Sequence, residues 1–398
     1  MSRHRKRFTH WPESCRTARD SISMQILMTA LQPGGGIRTF FRYIYGQPCF
    51  SDCTFTLIAP DQGLSAYLSE FLPEGRIKVV EAESSNLAFV RQVRRAHQTG
   101  NYDLIHSHGF SAGLLTEISL GLGGRTPHLM TAHDVFLHAQ FQGASNRIRH
   151  WVMARLFARM TGIHAVTEDA AENFRTFFPK VSPSRIHGIL HGVDAEYFRD
   201  GTPRNLREEF GIAPDTPIIG FFGRFMNQKG FRLLVDAMAD IREQNLLEPL
   251  PHVITFGWGA FIREDYDYLR EKGLGDLFHQ AEQTNDMAAA LKGVDVVAMP
   301  SRWEACGLLA MEAMAAGVPI VGSDCVGLRE ILAGSPAQTI HTGDSRSLRD
   351  ALIRELEDLP SRTTAFEAYQ SKAVERFAID RPAKAIRSLY QDLERVKP

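Results

Sequence analysis

Cysteine is scarce in this chain, with five among 398 residues. Cys15, Cys49, Cys53, Cys306 and Cys325 are scattered without a metal-ligand spacing, and their odd number argues against a disulfide framework. No apolar run approaches the ~18 to 20 residues of a membrane span. The opening MSRHRKRFTHWPESCR is basic but lacks the apolar stretch of a secretory signal. These absences lead to the expectation of a cytoplasmic protein in a reducing compartment. Short repeats and low-complexity tracts are also missing. Neither sign of charge is in excess, with 45 Lys and Arg against 46 Asp and Glu, and no nucleic-acid partner is expected. The balance hides an asymmetry, because residues 1–190 hold 21 Lys and Arg against 14 Asp and Glu, and the remainder 24 against 32.

What is present is a globular composition, 44% hydrophobic and 23% charged. A chain of this length exceeds one ordinary core and suits two domains of similar size. SISMQILMTA, CTFTLIAP, IKVVEA, DLIHSHG, HLMTAHDV, IHAVTE and IHGILHG read as buried strands in the first half, separated by helical segments such as NLAFVRQVRRAHQTG. After the Asp, Gly and Pro punctuation of HGVDAEYFRDGTPRNLREEFGIAPDT, the alternation resumes with IIGFFGR, HVITFGWG, DLFHQA, DVVAMPS, PIVGSD and PAQTIHTGD. The pattern predicts an α/β fold of two Rossmann-like, doubly wound domains facing a central cleft, with ligands at the carboxyl ends of the strands. The expected boundaries are an extension over 1–23, domains over 24–195 and 196–375, and a C-terminal helix over 376–398 returning toward the first domain. SLRDALIRELEDL and TAFEAYQSKAVERFAIDRPAKAIRSLYQDLERV read as the closing helices. The extension reads as a flexible arm or the product of an upstream start site.

One segment concentrates the chemistry: MPSRWEACGLLAMEAMAAGVPIVGSDCVGLREIL, Met299 to Leu332. VVAMPS reads as a strand end and Gly307 opens a helix, so free amides near Cys306, Gly307 and Leu308 offer an anion site. Glu304 suits sugar hydroxyls, which donate to a carboxylate. Glu312, eight positions on, suits a second hydroxyl-bearing group such as a ribose. Two hydroxylated units flanking a diphosphate describe a nucleotide sugar. The plain alternative is a pair of solvated helix glutamates.

GFFGRFMNQKGFRLLVDA, Gly220 to Ala237, follows a strand with Gly223, Arg224, Lys229 and Gly230. Arg224 and Lys229, five apart before a helix, can place two cations on a diphosphate. Gly34, Gly35 and Gly36 follow the first strand, where a loop without side chains allows close approach of a phosphate or sugar. Their spacing does not match a dinucleotide fingerprint. His106 and His108 read as structural residues, since no carboxylate completes a ligand spacing. In RIRHWVMARLFARM, Trp151, Leu156 and Phe157 share a helix with Arg147, Arg149, His150, Arg155 and Arg159. That helix suits anionic lipid or a phosphorylated acceptor, or is an ordinary helix with a solvated basic face.

Pro300, Ser301, Glu304, Glu312 and the run Ala313, Met314, Ala315, Ala316, Gly317, Val318, Pro319, Ile320 and Val321 resemble the donor-site signature of retaining GT-B glycosyltransferases, family 4. Gly223, Arg224, Lys229 and Gly230 are similar to the family's second donor element, TAHD to its His-Asp element, and HGVD to its interdomain Asn-Gly-Val-Asp. His191 stands where asparagine is common, and Ala305 and Cys306 stand where Pro and Phe are frequent. The resemblance implies transfer of a sugar from a nucleoside diphosphate sugar to a glycan, lipid-linked or small-molecule acceptor, with retention, no cofactor and no metal. It implies His133, Arg224, Lys229 and Glu304 as the catalytic set. Donor binding falls to Gly35, Gly36, Gly223, Arg224, Lys229, Glu304, Cys306, Gly307, Leu308 and Glu312, with Glu304 on the sugar and Glu312 on the ribose. Asp134 is expected to orient His133 or cap the next segment. A peripheral contact with the inner face of an anionic membrane is a further expectation. The rival readings are a phosphorylase or nucleotide-sugar epimerase of similar fold, and a non-catalytic nucleotide-sugar-binding protein.

Overall fold

The computed structural model describes residues 24–121 and 126–395. The expected extension over 1–23, with Cys15, lies outside the described residues. Each of the segments expected to be extended holds a strand. They are β1 (Met24–Ala30), β2 (Cys53–Ala59), β3 (Ile77–Glu81), β4 (Leu104–His108), β5 (His128–Ala132), β6 (Gly162–Ala165) and β7 (Ile186–Gly188) in the first half. The second half holds β8 (Ile218–Phe222), β9 (His252–Phe256), β10 (Phe278–Ala281), β11 (Val296–Met299), β12 (Ile320–Ser323) and β13 (Gln338–Ile340). β1, β4, β5, β8 and β11 are buried almost throughout. Helices cover both faces of a parallel sheet, so such strands read as apolar runs rather than alternations.

The strands form two parallel sheets, ordered β3-β2-β1-β4-β5-β6-β7 and β10-β9-β8-β11-β12-β13. β1 pairs with β2 on one side (Ile26 beside Phe55) and with β4 on the other (Ile26 beside Leu104). β8 likewise pairs with β9 and β11. In each sheet the winding reverses between those central strands, and a crevice opens at their carboxyl ends. These are two Rossmann-like domains of the GT-B type.

The C-terminal helix expected over 376–398 begins at Asp380. The chain forms helices Leu359–Phe377 and Asp380–Arg395, broken at Ala378. The break has a partner: Val193 N donates to Phe377 O at 2.9 Å, and Val193 and Ala378 form an isolated parallel bridge. A side chain at Gly192 would approach Phe377 O to 2.7 Å, so only glycine lets the two crossings lie together. Beyond the break, Ala383, Ile386, Leu389, Tyr390 and Leu393 share one face and join Met24, Ile26, Met28 and Leu104 in the first domain's core.

A second tie joins the halves at the start of helix Glu168–Phe177. Thr167 caps it by accepting from Ala170 N, and its hydroxyl donates to Ala305 O at 3.0 Å. Asp169 accepts from Gly327 N at 2.7 Å and receives both nitrogens of the Arg329 fork. Among the described residues no helix is long and apolar enough to cross a membrane.

Candidate active site at the facing switch points

A cavity of about 840 Å³ lies where the two crevices meet. From the first domain it takes Gly34 of the loop after β1 and Gly36 and Arg38 of the helix that follows, the end of β4 with the turn after it (His108, Gly109, Phe110), and His133 and Asp134 after β5. From the second it takes Arg224, Gln228 and Lys229 after β8, and Glu304, Cys306, Leu308 and Leu309 after β11. Residues far apart in sequence meet here because both sheets aim their strand ends at one space.

The β8 loop is held by its aromatic residues. Phe225 is buried against Phe231 at 4.9 Å and Tyr266 at 5.7 Å between centroids, while Arg224 is left exposed. A single turn, Asn227–Lys229, leads to Gly230, whose φ of 71° begins helix Phe231–Glu243. A Cβ at Gly230 would collide with the Pro300 carbonyl, so glycine brings the β8 and β11 loops together. Arg302 N donates to Gln228 O at 2.7 Å and Gln228 Nε2 to Trp303 O at 2.9 Å, locking the loops edge to edge.

That contact brings two site residues into direct pairing. Lys229 Nζ lies 2.6 Å from Glu304 Oε1, and the Ser301 hydroxyl donates to the same oxygen at 2.7 Å. The carboxylate is therefore oriented before any ligand arrives. Sequence reasoning placed Lys229 on a phosphate and Glu304 on a sugar and did not foresee their contact.

Glu312 stands apart. The helix begins at Leu308, just after Gly307 as expected, so Glu312 lies one turn inside it; it is not among the residues lining the cavity. Burial raises its carboxyl to about 7, with Arg42 of helix Gly36–Tyr45 opposing that rise. Gly223 and Gly307 shape the loops that carry Arg224 and Leu308. A Cβ at Gly34, Gly35 or Gly36 would meet nothing within 4 Å, so packing does not explain this run. Gly35 does need its freedom, with φ 55° at the start of helix Gly36–Tyr45.

His133 is neutral in this setting. Burial, then the neighbouring imidazoles of His164 and His191, hold its pKa well below the ordinary histidine value. Its Nε2 meets His108 Nδ1 at 3.1 Å, and its ring stands edge-on to Phe40 at 5.1 Å. Of the two roles expected of Asp134, its hydrogen bonding fits the second: its carboxylate accepts from Val135 N at 2.9 Å, the first amide of the following segment. Burial, first, raises the Asp134 pKa. The group behind His133 is His108, whose Nε2 is 3.0 Å from the Tyr45 hydroxyl. Tyr45 in turn meets His106 at 3.0 Å and Tyr390 of the closing helix at 3.1 Å. Of the two histidines read as structural, His106 is buried with Tyr45, Tyr390 and Thr131 as partners, and His108 lines the cavity behind His133. The available signal for His108 was its place at the carboxyl end of a strand.

Two family models match in order. One, described as Glycosyltransferase Family 4, covers residues 35–197, and the other, Glycosyl transferases group 1, covers 216–358. This chain belongs to the family 4, group 1 glycosyltransferases. Among relatives in this family, the lipopolysaccharide core biosynthesis mannosyltransferase LpsB of Rhizobium meliloti (strain 1021) is 30% identical over 217 residues, 52% of this chain and 61% of that protein. The match thus spans under two thirds of that relative. A D-inositol 3-phosphate glycosyltransferase of Corynebacterium urealyticum is 28% identical over 84% of this chain and 79% of its own. The crystal structure of Anabaena Alr3699/HepE in complex with UDP-glucose superposes with a TM-score of 0.78 over 93% of this chain and 100% of that chain, at 21% identity. This neighbour shares the family's GT-B fold.

Proposed function

We propose that the protein transfers a sugar from a nucleoside diphosphate sugar to a hydroxyl-bearing acceptor, with retention at the anomeric carbon and without a metal. The observation that carries this is the convergence of Arg224, Lys229 and the start of helix Leu308–Ala316 with Glu304 and neutral His133 on one cavity. Cations and helix amides suit the diphosphate, whose negative charge grows as the glycosidic bond breaks. Lys229 neutralises it as a point charge and Arg224 chelates it, doing what a metal does elsewhere. Glu304 accepts sugar hydroxyls, and His133 hydrogen-bonds the sugar without adding charge beside an oxocarbenium-like centre. The departing phosphate takes the acceptor's proton on the face it leaves. The ribose role of Glu312 rests on the family resemblance, since the cavity lining does not include it.

UDP-, GDP-, ADP- and dTDP-sugars are to be screened by thermal shift, since a ligand of the native state raises its stability. The best donor is then incubated with EDTA and monitored for transfer or slow hydrolysis, with product anomer read by NMR. Turnover that needs inorganic phosphate would support a phosphorylase instead. Binding without transfer or hydrolysis would support a binding protein.

A second observation bears on the acceptor. Helix Ala144–Phe157 has no acidic residue, and exposes Ile148, Trp151 and Val152 beside Arg147, Arg149 and Arg155. Apolar anchors flanked by cations suit an anionic bilayer. We place the protein at the inner face of a membrane, working on a lipid-linked acceptor. Vesicles containing phosphatidylglycerol should co-sediment the wild type and not Trp151→Glu; equal sedimentation of both would refute it.

A further inference from the structure

The histidines behind the cavity form one hydrogen-bonded chain, and its last link sets the direction of the others. Burial holds His106, His108 and His133 well below the ordinary histidine pKa and lowers His164 to about 3, so each ring is neutral and carries one N–H. The far end lies at His164, whose Nε2 is 3.4 Å from Ile189 O. A carbonyl has no proton to give, so Nε2 carries the hydrogen and Nδ1 is a bare acceptor. Thr131 Oγ1, 3.0 Å away, must then donate to that Nδ1. With its own hydrogen used, Thr131 accepts from His106 Nε2 at 2.7 Å, and His106 Nδ1 becomes the next bare nitrogen.

Two phenols meet His106 Nδ1, Tyr390 at 2.5 Å and Tyr45 at 3.0 Å. One lone pair takes the nearer hydroxyl, so Tyr390 donates there. Tyr45 lies 3.1 Å from Tyr390 and 3.0 Å from His108 Nε2, with one hydrogen to place. If it donates to His108, its contacts with Tyr390 and His106 both set lone pair against lone pair. If it donates to Tyr390, only the contact with His106 does so, because His108 Nε2 then donates to Tyr45. Both phenols and both rings are buried, where each contact without a hydrogen is costly, so the second arrangement is the stable one. His108 Nδ1 is then bare and accepts from His133 Nε2 at 3.1 Å. Every hydrogen has an acceptor along one line from His133 to a backbone carbonyl.

We propose that Thr131 is a positioning residue that fixes the tautomer of His133 through this chain, keeping the hydrogen on Nε2 and leaving Nδ1 an acceptor. Thr131 is buried and does not line the cavity, whereas His133 does. Its hydroxyl holds the His106 hydrogen on Nε2. Without it, His106 can carry that hydrogen on Nδ1 and donate to Tyr390. Tyr390 then turns its hydroxyl to Tyr45, Tyr45 donates to His108 Nε2, and His108 Nδ1 donates to His133 Nε2. Each ring keeps one hydrogen throughout, but His133 ends with its own on Nδ1, a donor in place of an acceptor. Tyr390 belongs to helix Asp380–Arg395, so the closing helix takes part in setting the site. The tautomer follows from the protein alone; its bearing on transfer rests on the nucleotide-sugar reading of the cavity.

Nitrogen NMR of histidine-labelled protein reads the tautomer, since protonated and bare ring nitrogens resonate in separate ranges; the His133 signals are those lost in His133→Asn. Wild type at neutral pH should show a protonated Nε2 and a bare Nδ1. Thr131→Val, of the same shape but without a hydroxyl, should exchange the two, and Thr131→Ser should restore the wild-type pattern. Tyr45→Phe, which leaves His108 Nε2 without an acceptor, should give the same exchange and serves if Thr131→Val fails to fold. Turnover of the nucleotide sugar that wild type binds best should fall about tenfold in Thr131→Val, the worth of about one hydrogen bond, and return in Thr131→Ser. The Kd of the free nucleoside diphosphate should not change. Wild type with its hydrogen on Nδ1, or one tautomer shared by wild type and the interrupted chains, would overturn the inference. An exchanged tautomer with unchanged turnover would overturn the positioning role. Wild type that binds neither nucleotides nor sugar nucleotides would overturn the reading of the cavity, while the spectra still decide the tautomer.

Discussion

Replacing Lys229 with alanine tests the site most directly, because one atom serves two electrostatic tasks. In the free protein Nζ sits 2.6 Å from Glu304 Oε1, with side-chain exposures of 22% and 8%. Removing it leaves Glu304 with the Ser301 hydroxyl at 2.7 Å and a charge largely withdrawn from water. Breaking such a pair should destabilise the fold by about 1–3 kcal/mol, below the loss at a fully enclosed pair because some solvent reaches the lysine. In the bound protein a charge-assisted hydrogen bond to the diphosphate is lost, about 1.5–3 kcal/mol, or roughly 10- to 150-fold in Kd. Calorimetry with whichever of UDP, GDP and ADP gives the largest thermal shift should show that loss. The matching monophosphate should lose less, since it offers Lys229 less charge. A diphosphate Kd within about threefold of wild type, or equal losses for both nucleotides, would refute the assignment of Lys229 to the diphosphate.

Other perturbations reach different parts of the structure. Glu312, raised to about 7, binds a proton more tightly folded than unfolded, so its contribution to stability is complete below the ordinary carboxylate pKa and disappears as pH rises through about 7; Glu312→Gln should therefore melt higher than wild type at pH 8 but not at pH 4.5, and parallel melting curves would contradict this. Tyr45→Phe removes the hydroxyl shared by His106, His108 and Tyr390, which should cost about 1–3 kcal/mol in urea unfolding, against which an unchanged midpoint would count. Asp169→Ala breaks the contacts to Gly327 and Arg329; the radius of gyration from small-angle scattering should increase, and an identical scattering curve would mean that this tie does not hold the halves together.

Much of this was legible before any coordinates. The central strands could be read because a parallel sheet buries both their faces, so β1, β4, β5, β8 and β11 are runs buried almost throughout. Arg224, Lys229 and Glu304 could be read because cations and carboxylates directly after such runs lie at strand ends, where α/β sheets bind ligands. The partner of the break at Ala378 could not, since the bridge there is to Val193, distant in sequence. His108 was passed over for a similar reason: a histidine two positions from another on a strand carries no ligand signal, and its importance lies in the 3.1 Å contact to a residue on the neighbouring strand.

The sequence by itself determined the two alternating halves and the kinds of group gathered at the strand ends, because both follow from local periodicity and from which residues tolerate a turn. Only the tertiary structure decided which of those groups touch. It paired Lys229 with Glu304 across 75 positions, set His108 behind His133 and kept Glu312 away from the cavity lining. Hydrogen bonds and ion pairs are sensitive to shifts of a few tenths of an ångström between segments remote in the chain, and those separations are set by how two sheets and the helix Asp380–Arg395 pack together.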